Sequence, residues 1–392
     1  MKAEWPTVRL DKCCEIVSGA TPKTSNAEYW DGDICWATPK DLSKLDGAYI
    51  SDTPRKLTHS GLKSCAATIL PVDSVLFSSR APISHVAVNT VPMATNQGFK
   101  SFVLKTDLIH AKFLYHWLCT NRSYLESFGN GATFKEVSKA VISRVKVPLP
   151  PLDEQKRIAD ILDRAEALRA KRRAALDQIN ELAQSIFIDM FGDPIKNPKE
   201  WPRARLGDVI FSASDGPHVS PAYSEAGIPF LSTRHVRAGE IIWEDLKFIS
   251  QEDAEVHWKK CKPQRGDILY TKGGTTGLAA TVHTDRSFAI WVHVSLLKPD
   301  SEKVDSIWLE SMLNSEFCYQ QSQVLTHGIA NRDLGLTRMV KIKILLPPLS
   351  LQRELACRFA AVEKLKATHK ASLAELDELF ASLQYRAFRG EL

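Results

Sequence analysis

Val145-Lys146-Val147-Pro148-Leu149-Pro150-Pro151-Leu152 leads into Asp153-Glu154-Gln155-Lys156-Arg157-Ile158-Ala159, and from Asp153 to Asp189 neither proline nor glycine interrupts. The proline pair stops a strand, because proline removes a ladder donor and pushes its predecessor to extended backbone. Asp153 and Glu154 then place acids at the positive end of a helix. A helix from there to Asp189 spans roughly 55 Å. The stretch returns near the end of the chain as Ile342-Lys343-Ile344-Leu345-Leu346-Pro347-Pro348-Leu349, then Gln352-Arg353-Glu354-Leu355-Ala356.

Working outward, the repeat extends over both halves of the 392 residues. Trp5-Pro6 with Arg9-Leu10 answers to Trp201-Pro202 with Arg205-Leu206. Ile34–Thr38 answers to Ile228–Ser232, and Ser74–Ser78 to Asp267–Thr271. Five matches in one order mark a duplication. Each half divides in two. Residues 1–148 and 193–346 are rich in glycine, proline and short apolar runs. Strands are expected at Ser74–Ser78, Val86–Val88, Ile268–Thr271 and Ile290–Leu297, and helices near His110–Thr120 and Val304–Ser315. The fold class is α+β: two repeated globular domains alternating with two long helices, 149–192 and 347–392, that pair as an antiparallel coiled coil.

A heptad fits both helices. The pairing residues are Ile158, Ile161, Leu168, Arg172, Ile179 and Leu182 on the first, and Leu355, Val362, Leu365, His369, Leu376 and Leu379 on the second. Long helices with narrow apolar stripes pair rather than stand alone. Mid-stripe, Arg172 and His369 either form a polar layer that sets register or reach out to solvent. An antiparallel pair has an approximate two-fold axis, so two similar domains are expected at its opposite ends, facing alike. That arrangement suits a two-fold object such as duplex DNA.

The missing motifs narrow the function. With 44% hydrophobic and 25% charged residues the composition is that of a globular protein, and no run approaches a membrane span. No signal peptide is evident, and eight scattered cysteines without metal spacing fit a reducing cytoplasm. There is no phosphate-binding G-x-x-x-x-G-K-[ST] loop, no G-x-G-x-x-G after a strand, and no nucleophile elbow. Asp193-Pro194 opens like an amino-methyltransferase motif but continues Ile195-Lys196, and Asp245-Leu246-Lys247 has no upstream Pro-Asp to complete a nuclease centre. No metal site is expected and no catalytic residue is identified.

Charge is more telling. The chain carries +5 overall, and the first globular portion carries +5 while the second is neutral. Cations beside Thr, Asn, Gly or Pro grip phosphates, and Arg, Asn and Thr read base edges. The DNA-binding candidates are Lys23, Thr24, Lys40, Arg55, Arg80, Asn130, Thr133 and Lys135 in the first portion. In the second they are His218, Arg234, Arg237, Lys272, Thr275, Thr276, Asn331 and Arg332. Arg80 and Lys272 each follow a short apolar strand and precede a small-residue turn, so equivalent DNA-facing loops are expected.

The duplicated Pro-Pro-Leu-x-x-Gln motif, with Ser18-Gly19-Ala20-Thr21-Pro22, Trp30–Ile34 with Trp36, Asn96-Gln97-Gly98, Asp215-Gly216-Pro217-His218 and Lys272–Gly277, resembles specificity subunits of Type I restriction–modification systems. The resemblance covers essentially the whole chain. It implies that each globular portion is a target recognition domain reading half of a split, asymmetric DNA sequence. It implies helices that set the gap and dock two modification subunits, which use S-adenosylmethionine, and restriction subunits, which use ATP and Mg. The chain itself then binds no cofactor and is not by itself an enzyme. One departure is Ser350-Leu351 where the first copy has Asp153-Glu154. Two other readings stand beside it: a nuclease or methyltransferase with an unrecognised centre, and a coiled-coil adaptor that binds only protein.

Overall fold

The computed structural model describes residues 5–80, 82–130, 135–328 and 332–392. The chain forms two compact units. One runs to Ala174 and adds Ala371–Leu392; the other is Ala175–Lys370. Each unit therefore holds one globular portion and parts of both long helices, which run Leu152–Phe191 and Leu349–Ala387.

In the first unit a five-stranded sheet has the order Cys14–Ser18, Lys100–Leu104, Val75–Phe77, Val86–Asn89, Tyr49–Ile50. A second sheet places Trp30–Ala37 between Lys56–Leu57 and Met93–Thr95. The other unit repeats this plan. Ile210–Asp215, Val294–Pro299, Ile268–Thr271 and Ala279–Thr281 form one sheet, and Ile228–Leu231 lies between Lys247–Ile249 and Ala289–Ile290 in the other. In each unit an entry strand pairs antiparallel with the exit strand before the helix: Val8 opposite Val147, and Ala204 opposite Ile344. The Val-Pro-Leu-Pro-Pro stretch thus closes a domain and launches a helix.

The expected strands and helices are present, with one difference. The run Ile290–Leu297 is two strands in different sheets, Ala289–Ile290 and Val294–Pro299, separated by Trp291–His293. An apolar run shows burial but not a change of sheet. Here the chain turns at the half-buried Trp291, and His293 is exposed.

The long helices are part of the domain cores. Ile158 and Leu162 pack with Phe113, Trp117 and Phe380 in the first unit; Phe187, Phe191 and Leu355 pack with Trp308 and Leu309 in the second. Within the first unit the two helices run antiparallel: Arg169 Nε bonds Asp377 Oδ1 at 2.6 Å, and Arg157 Nη2 donates to Leu392 O at 3.0 Å. Ile158, Ile179, Leu355 and Val362 are buried, and Ile161, Arg172, His369 and Leu376 half-buried. The second column of the stripe needs correction. Leu168, Leu182, Leu365 and Leu379 are 53%, 44%, 44% and 51% exposed, so they face away from the seam. The inward column lies one residue later, at Leu162, Arg169 and Ala183 on one helix and Phe359, Lys366 and Phe380 on the other. Counting apolar residues missed it because two of these are charged. The Arg169 guanidinium nonetheless sits 4.4 Å from the centre of the Phe380 ring, its stem covering apolar surface.

Candidate nucleic-acid interface

In the first unit the motifs of the sequence converge at one cluster of loops. A Cβ on Gly19 would lie 2.0 Å from Asn96 O, so the Ser18–Pro22 loop can press against Asn96-Gln97-Gly98 only as glycine. Trp36 Nε1 donates to Ala20 O at 3.0 Å, and Thr21 hydrogen-bonds Gln97. Ser79 N donates to Gly98 O, and Val137 N to Ser79 O. The turn carrying Arg80 is thereby tied to the antiparallel pair Asn130 and Glu136. Glu136 is neutralised by Lys100, 3.3 Å away, and by Arg80 at 3.8 Å. Beside this cluster the Arg55 guanidinium lies 3.6 Å from the Trp30 ring centre and 5.4 Å from that of Trp36.

The second unit repeats the geometry with other side chains. A Cβ on Gly216 would meet Ile290 O at 2.2 Å. Lys272 N donates to His293 O, and Leu334 N to Lys272 O. These contacts pair Lys272 with Ser79, so Arg80 corresponds to Gly273; both bridge to the acid of an antiparallel pair, Glu136 or Asp333. Lys272 does not present itself to a ligand. Its side chain is 7% exposed, with Nζ 2.9 Å from Asp215 Oδ2 and 3.3 Å from Asp333 Oδ1. Lys260 bonds the other oxygen of Asp215. Burial raises the Asp215 pKa, but hydrogen bonds from Lys260 and Lys272 outweigh it and hold the carboxyl below its usual range. Local sequence shows a lysine after a strand; only the fold brings Asp215 up to it from 57 residues away.

The repeated glutamine has a structural role. Gln155 Oε1 accepts from His110 N at 2.9 Å while its Nε2 donates to Leu108 O and Pro150 O. Gln352 Oε1 accepts from Asp305 N at 2.9 Å, and its Nε2 donates to Pro347 O. Both amides are fully buried. An amide offers donor and acceptor together, which is what this junction of strand, loop and helix requires.

The family description "Type I restriction modification DNA specificity domain" matches residues 2–180 and 198–378. The chain belongs to that family. The MjaIX specificity subunit of Methanocaldococcus jannaschii is 31% identical over 71% of this chain and 68% of that protein. The EcoKI specificity subunit of Escherichia coli is 24% identical over 99% of this chain and 89% of that protein. A chain solved in work on assembly and conformational transition of the type I R-M system superposes with a TM-score of 0.61, at 20% identity, covering 99% of this chain and 98% of its own. The M. genitalium S subunit superposes at 0.57, with 12% identity and coverage of 98% and 96%.

On the specificity-family fold the sequence-selected residues separate into groups. Lys23, Thr24, Lys40, Arg55, Asn130 and Lys135 are exposed, and Arg80 is half-exposed. His218, Arg234, Arg237, Thr275 and Arg332 are exposed in the second unit, the last donating to Gln323 Oε1 at 2.7 Å. Thr276 is buried and shares a hydrogen bond with Thr326, so it supports the loop, as Lys272 does. Thr133 and Asn331 lie outside the described residues. Composition alone did not single out Tyr223, Phe230, Lys247 and Trp291, which line a cavity of about 340 Å³. The available signal was Trp291 inside an apolar run beside His293. Among the described residues no cluster has the makings of a metal site, and no helix is long and apolar enough to cross a membrane.

Proposed function

We propose that this chain is the DNA-reading subunit of a Type I restriction–modification complex. Residues 1–148 and 193–346 act as target recognition domains, each binding one half of a split, asymmetric duplex sequence. The observation that carries this reading is the loop cluster present twice on one scaffold with different side chains. The backbone plan of Gly19 and Gly216, of Ser79 and Lys272, and of the two antiparallel pairs is shared. The exposed groups around it are not. One scaffold with two sets of reading groups recognises two unlike half-sites.

The long helices set the gap between the halves. With their outward leucines they dock two modification subunits, which bring S-adenosylmethionine, and restriction subunits, which bring ATP and Mg. The chain contributes no catalytic residue and works in the cytoplasm, where the genome is. The experiment is to express the intact system and map methylated adenines, then replace 1–148 by the matching part of a relative. One half of the methylated sequence changes and the other is kept. A swap that alters both halves overturns independent reading, and methylation indifferent to the chain's identity overturns the specificity role.

A further inference from the structure

The two recognition domains differ at one equivalent place, the inner sheet beside the loop cluster. In the first, Trp36 N donates to Arg55 O; in the second, Phe230 stands opposite Lys247 in the same antiparallel pairing. Trp36 and Phe230 also both pair with a parallel strand, opposite Ala94 and Ala289. Arg55 and Lys247 are thus structural counterparts, each a cation over an aromatic ring.

The consequence differs. The flat Arg55 guanidinium stacks 3.6 Å from the centre of the Trp30 ring. Lysine has no plane to stack. Lys247 sits with its ammonium 4.0 Å above the Tyr223 ring, and the cavity of about 340 Å³ stays open beside it. Phe230 lies 6.0 Å from Tyr223 and 5.8 Å from Trp291, centre to centre, so three rings from three segments form the walls. Arg234 and Lys247 supply two cations, Ser232 a hydroxyl, and among the described residues no acid lines the cavity.

We propose that this pocket takes a single unstacked nucleotide, its base against Trp291 and Tyr223 and its phosphate at Arg234 and Lys247. Aromatic faces with adjoining cations are the chemistry by which unpaired nucleotides are held, and stacking of this kind accepts any base. The cations select an anion. The proposal rests on the DNA-reading role and adds to it: the second domain captures a nucleotide out of the duplex stack, and the first, with Arg55 stacked on its own tryptophan, does not.

The test uses the full chain with a fluorescein-labelled twelve-nucleotide single strand, dAMP, and duplex DNA carrying the mapped target. The wild type is expected to bind the single strand, and Trp291→Ala to weaken it on the order of tenfold. Lys247→Gln is expected to reduce the salt slope by about one. Lys303→Gln, at an exposed cation outside the candidate interface, leaves single-strand affinity unchanged. Tightening from dAMP to the strand assigns the pocket to DNA; equal affinity per nucleotide assigns it to a free nucleotide. Thermal midpoints matching the wild type show that the variants are folded. Unaltered strand affinity in folded Trp291→Ala and Tyr223→Ala variants overturns the pocket while leaving duplex reading intact. Absence of duplex binding by the wild-type complex overturns the DNA-reading role itself.

Discussion

Lys272 Nζ lies 2.9 Å from Asp215 Oδ2, with both side chains 7% exposed. The pair ties the Asp215–His218 loop to the strand end at Thr271, and Asp333 joins it at 3.3 Å. Three segments of the second recognition domain are thus held by one charge cluster centred on the buried Lys272–Asp215 pair. Removing Asp215 leaves the buried Lys272 ammonium with only the partly exposed Asp333, at a cost of about 1–3 kcal/mol.

Asp215→Asn is accordingly expected to lower the urea midpoint of the chain sharply, and Asp215→Asn with Lys272→Met to recover part of the loss. The pH dependence has a definite sign. The folded-state pKa of Asp215 is depressed, so its stabilisation is complete above the ordinary carboxylate value and disappears as pH falls through that value toward the folded one. Melting temperatures measured downward from pH 7 should fall below about pH 4. The Asp215→Asn chain should show a shallower acid limb.

Gln155 and Gln352 share two contacts, a helix-start N–H and a proline carbonyl, at two junctions, and the test is to break one. Gln352→Ala strands the N–H of Asp305 and a proline carbonyl, and is expected to cost about 1–3 kcal/mol by chemical denaturation. Gln352→Glu keeps the shape but loses the donor, so it should destabilise nearly as much. Equal stability of the wild type and both variants would sink the anchoring role.

The exposed leucines separate docking from folding. Leu168→Asp with Leu379→Asp changes two side chains about half exposed in the first unit. The isolated chain's melting temperature should move by less than a few degrees, because surface changes are usually worth within about 0.5 kcal/mol. Co-purification with modification subunits should weaken markedly. An unchanged complex would place docking elsewhere.

Arg80 is the candidate for base reading in the first domain, half-exposed and 3.8 Å from Glu136. Arg80→Ala is expected to relax one position of the first half-site by about 1–3 kcal/mol in competition binding, leaving the second half-site untouched. A uniform loss over all sequences would make it a phosphate contact instead.

Much of this architecture is legible in sequence because it depends on local periodicity. The duplication, the two long helices, the strands at Val75–Phe77 and Ile268–Thr271, and the closing strand before each helix follow from spacing and from proline. The heptad's repeat and its first inward column, Ile158, Ile179, Leu355 and Val362, were readable; its second column was not. Leu168 and Leu182 look like seam residues by apolarity, while Arg169, stacked on Phe380, holds a seam position by virtue of its stem.

The site divides the same way. Sequence alone determined that two related domains carry small-residue loops with cations, and that a glutamine follows each proline pair, because these are facts of order along the chain. Only tertiary structure decided that Lys272 is held by Asp215 and Asp333, that Gln155 reaches back to His110, and that Tyr223, Phe230 and Trp291 line one cavity. The physical reason is distance along the chain. A cation's role depends on whether a carboxylate reaches it, and a ring's on which others it meets; those partners lie tens of residues away, brought together by sheets whose order local periodicity does not encode.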